Sequence, residues 1–246
     1  MKRRALTRLA RAEARANGIS RPGSAVLKLA KAEVVKAAYH EAGHVVIGRH
    51  LMGETPRLAT IERGSENIDS PTHGFVRWGF HQAPEVTAEL LKQRSAPQDL
   101  MRSSAVRWVQ TQLAGYAVEE TFGFSEEPFD LFTAWDEDQD GDVILAFDEL
   151  APFEKREGKR WVWMDSIWSQ TKALVARHDI RNAVKRIAET LLDTPTLEED
   201  VLRRLLAEVI VDLSHFSTIS KRGSRESATA GRRARPRRRR DIERKN

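Results

Sequence analysis

Two histidines four residues apart lie inside an apolar run, and this pair limits the folds open to the chain more than any other feature. On an α-helix, residues at that spacing share one face, so His40 and His44 can direct both imidazoles to one point. Because a protein core rarely holds histidine without a polar partner, the pattern predicts a buried helix over residues 32–52 that carries a metal site. The residues around the pair are mostly small and apolar: Val34, Val35, Ala38, Ala42, Val45 and Val46.

Glu41 follows the first histidine and completes a His-Glu-x-x-His pattern. This pattern is typical of zinc metallopeptidases, in which the histidines hold the metal and the glutamate takes a proton from water. The chain has no cysteine, so zinc would need His and carboxylate ligands. Gly43, in the middle of the helix, indicates close packing or substrate access. Taken in isolation, the same five residues also fit two unrelated histidines on a polar helix face.

Charge divides the chain into three segments. Residues 1–31 carry a net charge of +8 and residues 221–246 one of +9, which leaves −12 on residues 32–220 from the total of +5. We expect a partly helical basic arm, a folded acidic domain and a basic tail, in that order. The tail should be disordered because it has almost no apolar residues.

Hydrophobic periodicity predicts a mostly α domain with a small β-sheet near the histidine helix. Strand patterns occur within residues 57–80, and residues 124–141 are expected to be acidic and irregular. Thr196 and Glu199 fit a capping box at the start of the last predicted helix. No apolar run approaches the ~18 residues of a membrane span, so we expect a soluble, cytoplasmic protein. The Arg-rich, acid-poor start also fits an organellar transit peptide. The other predicted helices span 85–93, 99–121, 142–150, 162–177, 180–192 and 197–211.

Several blocks, in order within residues 34–212, resemble the peptidase domain of FtsH-type ATP-dependent zinc proteases. The most specific is the histidine helix itself, Ala38 to His44. Glu62 stands where the family has proline, and Tyr116 stands where it has arginine. The remaining blocks are Thr60-Ile61-Glu62-Arg63-Gly64, Gly74-Phe75-Val76, Leu113 to Glu120 with Phe122 and Gly123, and Leu191 to Leu197.

This resemblance implies an FtsH peptidase-like helical fold, zinc as cofactor, protein or peptide substrates and a hexameric homo-oligomer. It also implies a third metal ligand, an aspartate in the pattern Asp-x-x-x-Ala, which Asp142 to Ala146 fits. Asp140 and Asp138 are alternatives in the same loop. Zinc with three protein ligands keeps a fourth position open for water or substrate, as peptide-bond hydrolysis requires.

Two further groups of residues are candidates for the site. Glu119 or Glu120 could orient a ligand histidine without contacting the metal itself, or both could be surface acids. Residues Gly74, Phe75 and Val76 could form an edge strand that pairs with an extended substrate, or an ordinary core strand.

The chain also departs from the family pattern. It contains neither a Gly-x-x-x-x-Gly-Lys-Ser/Thr phosphate loop nor the family's Gly-Met-Ser block. It therefore resembles the protease half alone, without the AAA ATPase module or the membrane anchor. Any ATP dependence is expected to come from a separate ATPase or unfoldase.

The acidic loop has a competing interpretation as a calcium site. Asp136 to Gly141 resembles the first half of an EF-hand loop, with Val143 at the apolar eighth position. Position twelve is Phe147, where a bidentate glutamate is needed, and Glu149 comes two residues late. A complete EF-hand is not expected, while a weak calcium site or a solvated loop stays open.

Two other functions are alternatives to a peptidase. One is a non-catalytic or partner-dependent zinc-binding interaction protein on the same fold, against which the intact Glu41 argues. The other is association with nucleic acid, or with another acidic partner, through the basic run Arg232 to Arg240. That run has no interleaved aromatic residues, so such binding would be non-specific.

Overall fold

Helices make up most of the fold. The structure, a computed structural model, describes residues 2–16, 18–62, 74–79, 98–125, 127–137 and 141–208. None of the helices in these ranges is long and apolar enough to cross a bilayer. The predicted mostly α fold with a small sheet is confirmed. The helices are α1 (Lys2–Ala16), α2 (Ser24–Met52), α3 (Gln98–Phe122), α4 (Leu131–Glu137), α5 (Asp142–Glu149), α6 (Glu157–Val175), α7 (His178–Asp193) and α8 (199–208), and the strands are β1 (Leu58–Thr60), β2 (Phe75–Arg77) and β3 (Thr196–Glu198).

The central helix is α2, and its apolar composition explains why neighbours cover it on several sides. It packs against α1, α3 and α7 and contacts β1 and β2. The residues from Glu41 to Gly48 are all buried. The helix begins at Ser24, so the predicted start at residue 32 is wrong. It ends at Met52, and Gly53 closes the last turn with a φ of 77° in the left-handed conformation.

Part of the basic N-terminal segment is packed against this helix. In α1, Leu9, Ala10 and Ala14 are buried, and α1 contacts both α2 and α7. These side chains form one stripe of a helix whose other residues are largely charged, which is the pattern of an amphipathic surface helix.

Small residues allow α3 to cross α2 at close range. A side-chain carbon at Gly43 would lie 2.8 Å from the Ala114 carbonyl oxygen and 3.0 Å from Val118 Cγ2. Gly43 therefore serves close helix packing, one of its two predicted roles. Helices α5 and α6 pack on α3 as well, so α3 connects the histidine helix to the helix that begins at Asp142.

The three strands form an antiparallel sheet in the order β2-β1-β3. Ala59 in β1 pairs with Val76 on one side and with Leu197 on the other. The predicted capping box is wrong, because Thr196 lies in β3, where its Oγ1 is 2.8 Å from Thr60 Oγ1. Pairing with β1 occupies this segment, and helix α8 begins only at residue 199.

Residues 124–141 are not wholly irregular, since they contain α4. The carboxylate of Asp130 caps this helix by accepting hydrogen bonds from the Phe132 backbone N–H at 3.1 Å and from Thr133 Oγ1 at 2.7 Å. Helices α6 and α7 begin earlier than predicted, at Glu157 and His178. The predicted helix over 85–93, the alternative ligands Asp138 and Asp140, and the tail over 221–246 lie outside the described residues, so those predictions stay open.

Candidate metal centre

His40, Glu41 and His44 lie in the buried middle of α2. His44 and Glu41 are only 5% and 6% exposed. Buried polar groups of this kind must have partners, since each unpaired one carries a desolvation cost. Two unrelated histidines on a polar helix face do not fit this environment, so that alternative is wrong.

Asp142 brings a carboxylate to both imidazoles from a separate helix. It lies in the first turn of α5, and its Oδ2 is 3.1 Å from His40 Nε2 and 3.0 Å from His44 Nε2. The three side chains each place a potential ligand atom within 4.8 Å of the other two. Across the described ranges, no other group of three or more His, Asp or Glu side chains converges in this way.

The second nitrogen of each ring is held by an oxygen acceptor. His44 Nδ1 is 2.7 Å from the backbone oxygen of Thr111, and His40 Nδ1 is 2.8 Å from Glu119 Oε1. A carbonyl or carboxylate oxygen only accepts, so each Nδ1 must carry a hydrogen and donate it. In the neutral imidazole this tautomer leaves the Nε2 lone pair free for a metal. Both Nε2 atoms face Asp142.

Of the two candidate glutamates, Glu119 contacts the site and Glu120 does not. The second oxygen of Glu119, Oε2, accepts a hydrogen bond from Lys36 Nζ at 3.1 Å. Burial would raise the pKa of Glu119, but its contacts with His40 and Lys36 lower that pKa overall. Glu120 is directed to α6 instead, where its Oε1 lies 3.3 Å from Lys172 Nζ. The arrangement leaves only Glu119 able to orient a histidine.

Gly74 lies beside Glu41, at the start of β2. A side-chain carbon at Gly74 would lie 2.9 Å from Glu41 Oε1 and 2.5 Å from the Thr60 carbonyl oxygen. The missing side chain therefore makes room for Glu41 and β1. Phe75 and Val76 follow in β2, which is one of the two outer strands among the three described strands. Such a strand can offer backbone groups to an added chain, which the predicted pairing with substrate requires.

Burial and neighbouring charges shift the ionisation of the buried groups. Burial would raise the pKa of Asp142, but His44 and His40 hold this pKa well below its usual range. Burial raises the pKa of Glu41 to about 7, against the opposing effect of the two histidines. Burial alone would lower the pKa of His40, but hydrogen bonds to Asp142 and Glu119 raise it to about 10. Without a metal the site is therefore a cluster of mutually stabilised charges, in which Glu41 titrates near neutral pH.

The donor set fits zinc better than calcium. Tetrahedral zinc with ligands at about 2.0–2.2 Å places neighbouring donor atoms about 3.3–3.6 Å apart. The contacts of 3.0 and 3.1 Å between Asp142 and the two rings are slightly shorter than that spacing, so a small outward shift of these side chains would admit the ion. Calcium takes six to eight oxygen ligands, which two imidazoles do not supply. Phe147, at the twelfth position of the EF-hand pattern, is buried in the core, so this position does not supply a calcium ligand.

Three residues of the site are not predicted from the sequence: Lys36, Thr111 and Gly115, where a side-chain carbon would lie 2.4 Å from His40 Nε2. Thr111 acts through its backbone oxygen, which leaves no signature in a sequence. A four-residue spacing could still have indicated these positions. Thr111, Gly115 and Glu119 follow one another at intervals of four and so share one face of α3. Lys36 likewise lies four residues before His40, on the same face of α2.

Comparison with known proteins adds no relative. No protein-family model matches the chain, and no curated protein matches it.

Proposed function

We propose that the protein is a zinc-dependent endopeptidase that hydrolyses peptide bonds in proteins. The observation that supports this most is the convergence of His40, His44 and Asp142 beside the buried carboxylate of Glu41. A structural zinc site has four protein ligands, whereas two histidines and one aspartate leave a position open for chemistry. A purely structural site also has no need of Glu41.

The proposed mechanism assigns the proton transfers to Glu41. When bound, zinc polarises a carbonyl group and lowers the pKa of water from 15.7 to about 7. Glu41 takes a proton from the attacking water and then donates it to the leaving amine. Its burial beside the two histidines places this carboxylate next to the position where the metal would bind. Glu119 and the Thr111 carbonyl keep the two ligand rings in the orientation that the site requires.

The substrate class comes from the resemblance to FtsH-type proteases, which implies protein substrates. Strand β2 supports that choice, since Gly74, the residue that precedes it, lies beside Glu41. An extended substrate that paired with β2 would bring its backbone close to the general base. A separate ATPase partner and a hexameric ring belong to the proposal through the resemblance alone.

Metal reconstitution tests the proposal. The purified 246-residue chain should bind zinc and digest casein, lose both properties on treatment with a chelator, and regain both when zinc is added. His44→Ala should lose zinc and cleavage together. His50→Ala, on the same helix but outside the cluster, should keep both. Tight zinc binding without cleavage would favour the non-catalytic zinc-binding alternative, and absence of zinc binding would contradict the proposal as a whole.

A further inference from the structure

Lys36, Glu119 and His40 form a chain of polar contacts that reaches His40 on the side of its ring opposite Asp142. Lys36 and His40 are one turn apart on α2, and Glu119 reaches both of them from α3. One carboxylate oxygen, Oε2, lies 3.1 Å from Lys36 Nζ, and the other, Oε1, lies 2.8 Å from His40 Nδ1. Each oxygen of the glutamate thus has its own donor, and the two donors belong to the same helix face.

The two ends of this line differ in their exposure to solvent. The Glu119 side chain is 8% exposed, whereas that of Lys36 is 38% exposed. A carboxylate with so little access to water depends on protein donors to hold its orientation. Among the described residues, Lys36 is the only lysine or arginine in contact with Glu119. Removing the ammonium group would leave Oε2 without that partner and free the carboxylate to turn.

We infer that Lys36 is a positioning residue, which sets the metal affinity of the site by holding Glu119 against His40. The inference rests on the metal site of the proposed function. Its physical reason is that a ligand histidine binds metal well when an oriented acceptor fixes its tautomer and ring angle. The ion pair of Lys36 is with Glu119 and not with a proposed ligand, so the proposed route of its effect is through Glu119.

Zinc affinity, measured by competition with a chromophoric chelator, tests this inference without any assay of activity. Lys36→Met should weaken zinc binding about tenfold, the lower end of the range for groups that orient a ligand. Lys36→Arg keeps the charge and should restore most of the affinity. Lys28→Met removes an exposed lysine from the same helix and should change nothing. Thermal unfolding of each variant checks that the fold is intact.

A double-mutant cycle separates a positioning role from a general effect of charge or stability. In a Glu119→Gln background, which already weakens zinc binding, Lys36→Met should cause no further loss. An equal tenfold loss in that background would overturn the inference, because Lys36 would then act independently of Glu119. Wild-type affinity in Lys36→Met would overturn it too, with the proposed function intact. Failure of the wild-type protein to bind zinc would overturn the proposed function and this inference together.

Discussion

The imidazole of His40 lies against the backbone of Gly115, with no space for a side chain between them. A methyl group at Gly115 would lie 2.4 Å from both Nε2 and Cε1 of the ring. Gly115 belongs to the face of α3 on which Thr111 holds His44 and Glu119 holds His40. One face of α3 thus sets the position of both ligand histidines.

Gly115→Ala should therefore displace His40 and weaken zinc binding at least tenfold, as measured by chelator competition. Overpacking at this buried position should also lower the free energy of unfolding by about 1–3 kcal/mol in urea titrations. Gly158→Ala is the matched control, because a side-chain carbon there would meet no atom within 4 Å. Wild-type zinc affinity in Gly115→Ala would show that the ring position does not depend on this contact.

Gly74→Ala should separate cleavage from metal binding. The added methyl group would press on Glu41 and on the Thr60 carbonyl, while the three metal ligands lie elsewhere. We expect zinc affinity to stay within a few-fold of wild type and casein cleavage to fall at least about tenfold, since a misplaced base loses part of a contribution of 10²–10⁴. Gly79→Ala is the control, as the nearest atoms to its methyl group would belong to the flexible side chain of Arg57. Unchanged cleavage in Gly74→Ala would contradict this role.

Asp142→Ala should remove the third ligand. Loss of a group that only orients a ligand costs 10–100-fold in metal affinity, so loss of a direct ligand should cost about a hundredfold or more. Asp148→Ala removes an exposed aspartate from the same helix and should leave zinc binding unchanged. If Asp142→Ala binds zinc as tightly as wild type, the third ligand lies elsewhere, with Asp138 and Asp140 the next candidates.

The metal-free protein should lose stability as pH rises above neutrality. The pKa of His40 is about 10 in the folded protein and about 6.5 in an unfolded chain. A group with a raised pKa stabilises the fold fully below the unfolded value, and this contribution disappears as pH approaches the folded value. Between pH 7 and pH 9 the free energy of unfolding should fall by about 2–3 kcal/mol more in wild type than in His40→Gln. Urea unfolding in the presence of chelator measures how the free energy of unfolding changes with pH in each protein. An equal change in wild type and in His40→Gln would exclude a charged His40.

Local patterns were sufficient to predict the histidine helix and the first two strands. The four-residue spacing of His40 and His44 and their apolar neighbours specify a buried helix without reference to the rest of the chain. The β-branched and aromatic residues in and around Leu58–Thr60 and Phe75–Arg77 similarly predict strands. Asp142 could be selected only through a resemblance, because its distance of 102 residues from His40 carries no local signal.

Long-range pairing explains most of what the sequence did not predict. Thr196 to Glu199 matches a helix start locally, but pairing with Thr60, more than a hundred residues away, makes its first three residues a strand. The sequence of α1 is dominated by charged residues, so its narrow apolar stripe, which packs on α2, was not recognised as part of the core. The backbone acceptor at Thr111 could not be found from residue types at all.

Glu41→Gln tests the central claim most directly, since it changes the proposed base and none of the three proposed metal ligands. Zinc content and casein cleavage should be measured on the same preparation, with Glu33→Gln, an exposed residue of the same helix, as control. We predict that Glu41→Gln binds zinc like the wild type and cleaves casein 10²–10⁴-fold more slowly, which is the usual contribution of a general base. Cleavage at the wild-type rate by the zinc-loaded variant would contradict the account.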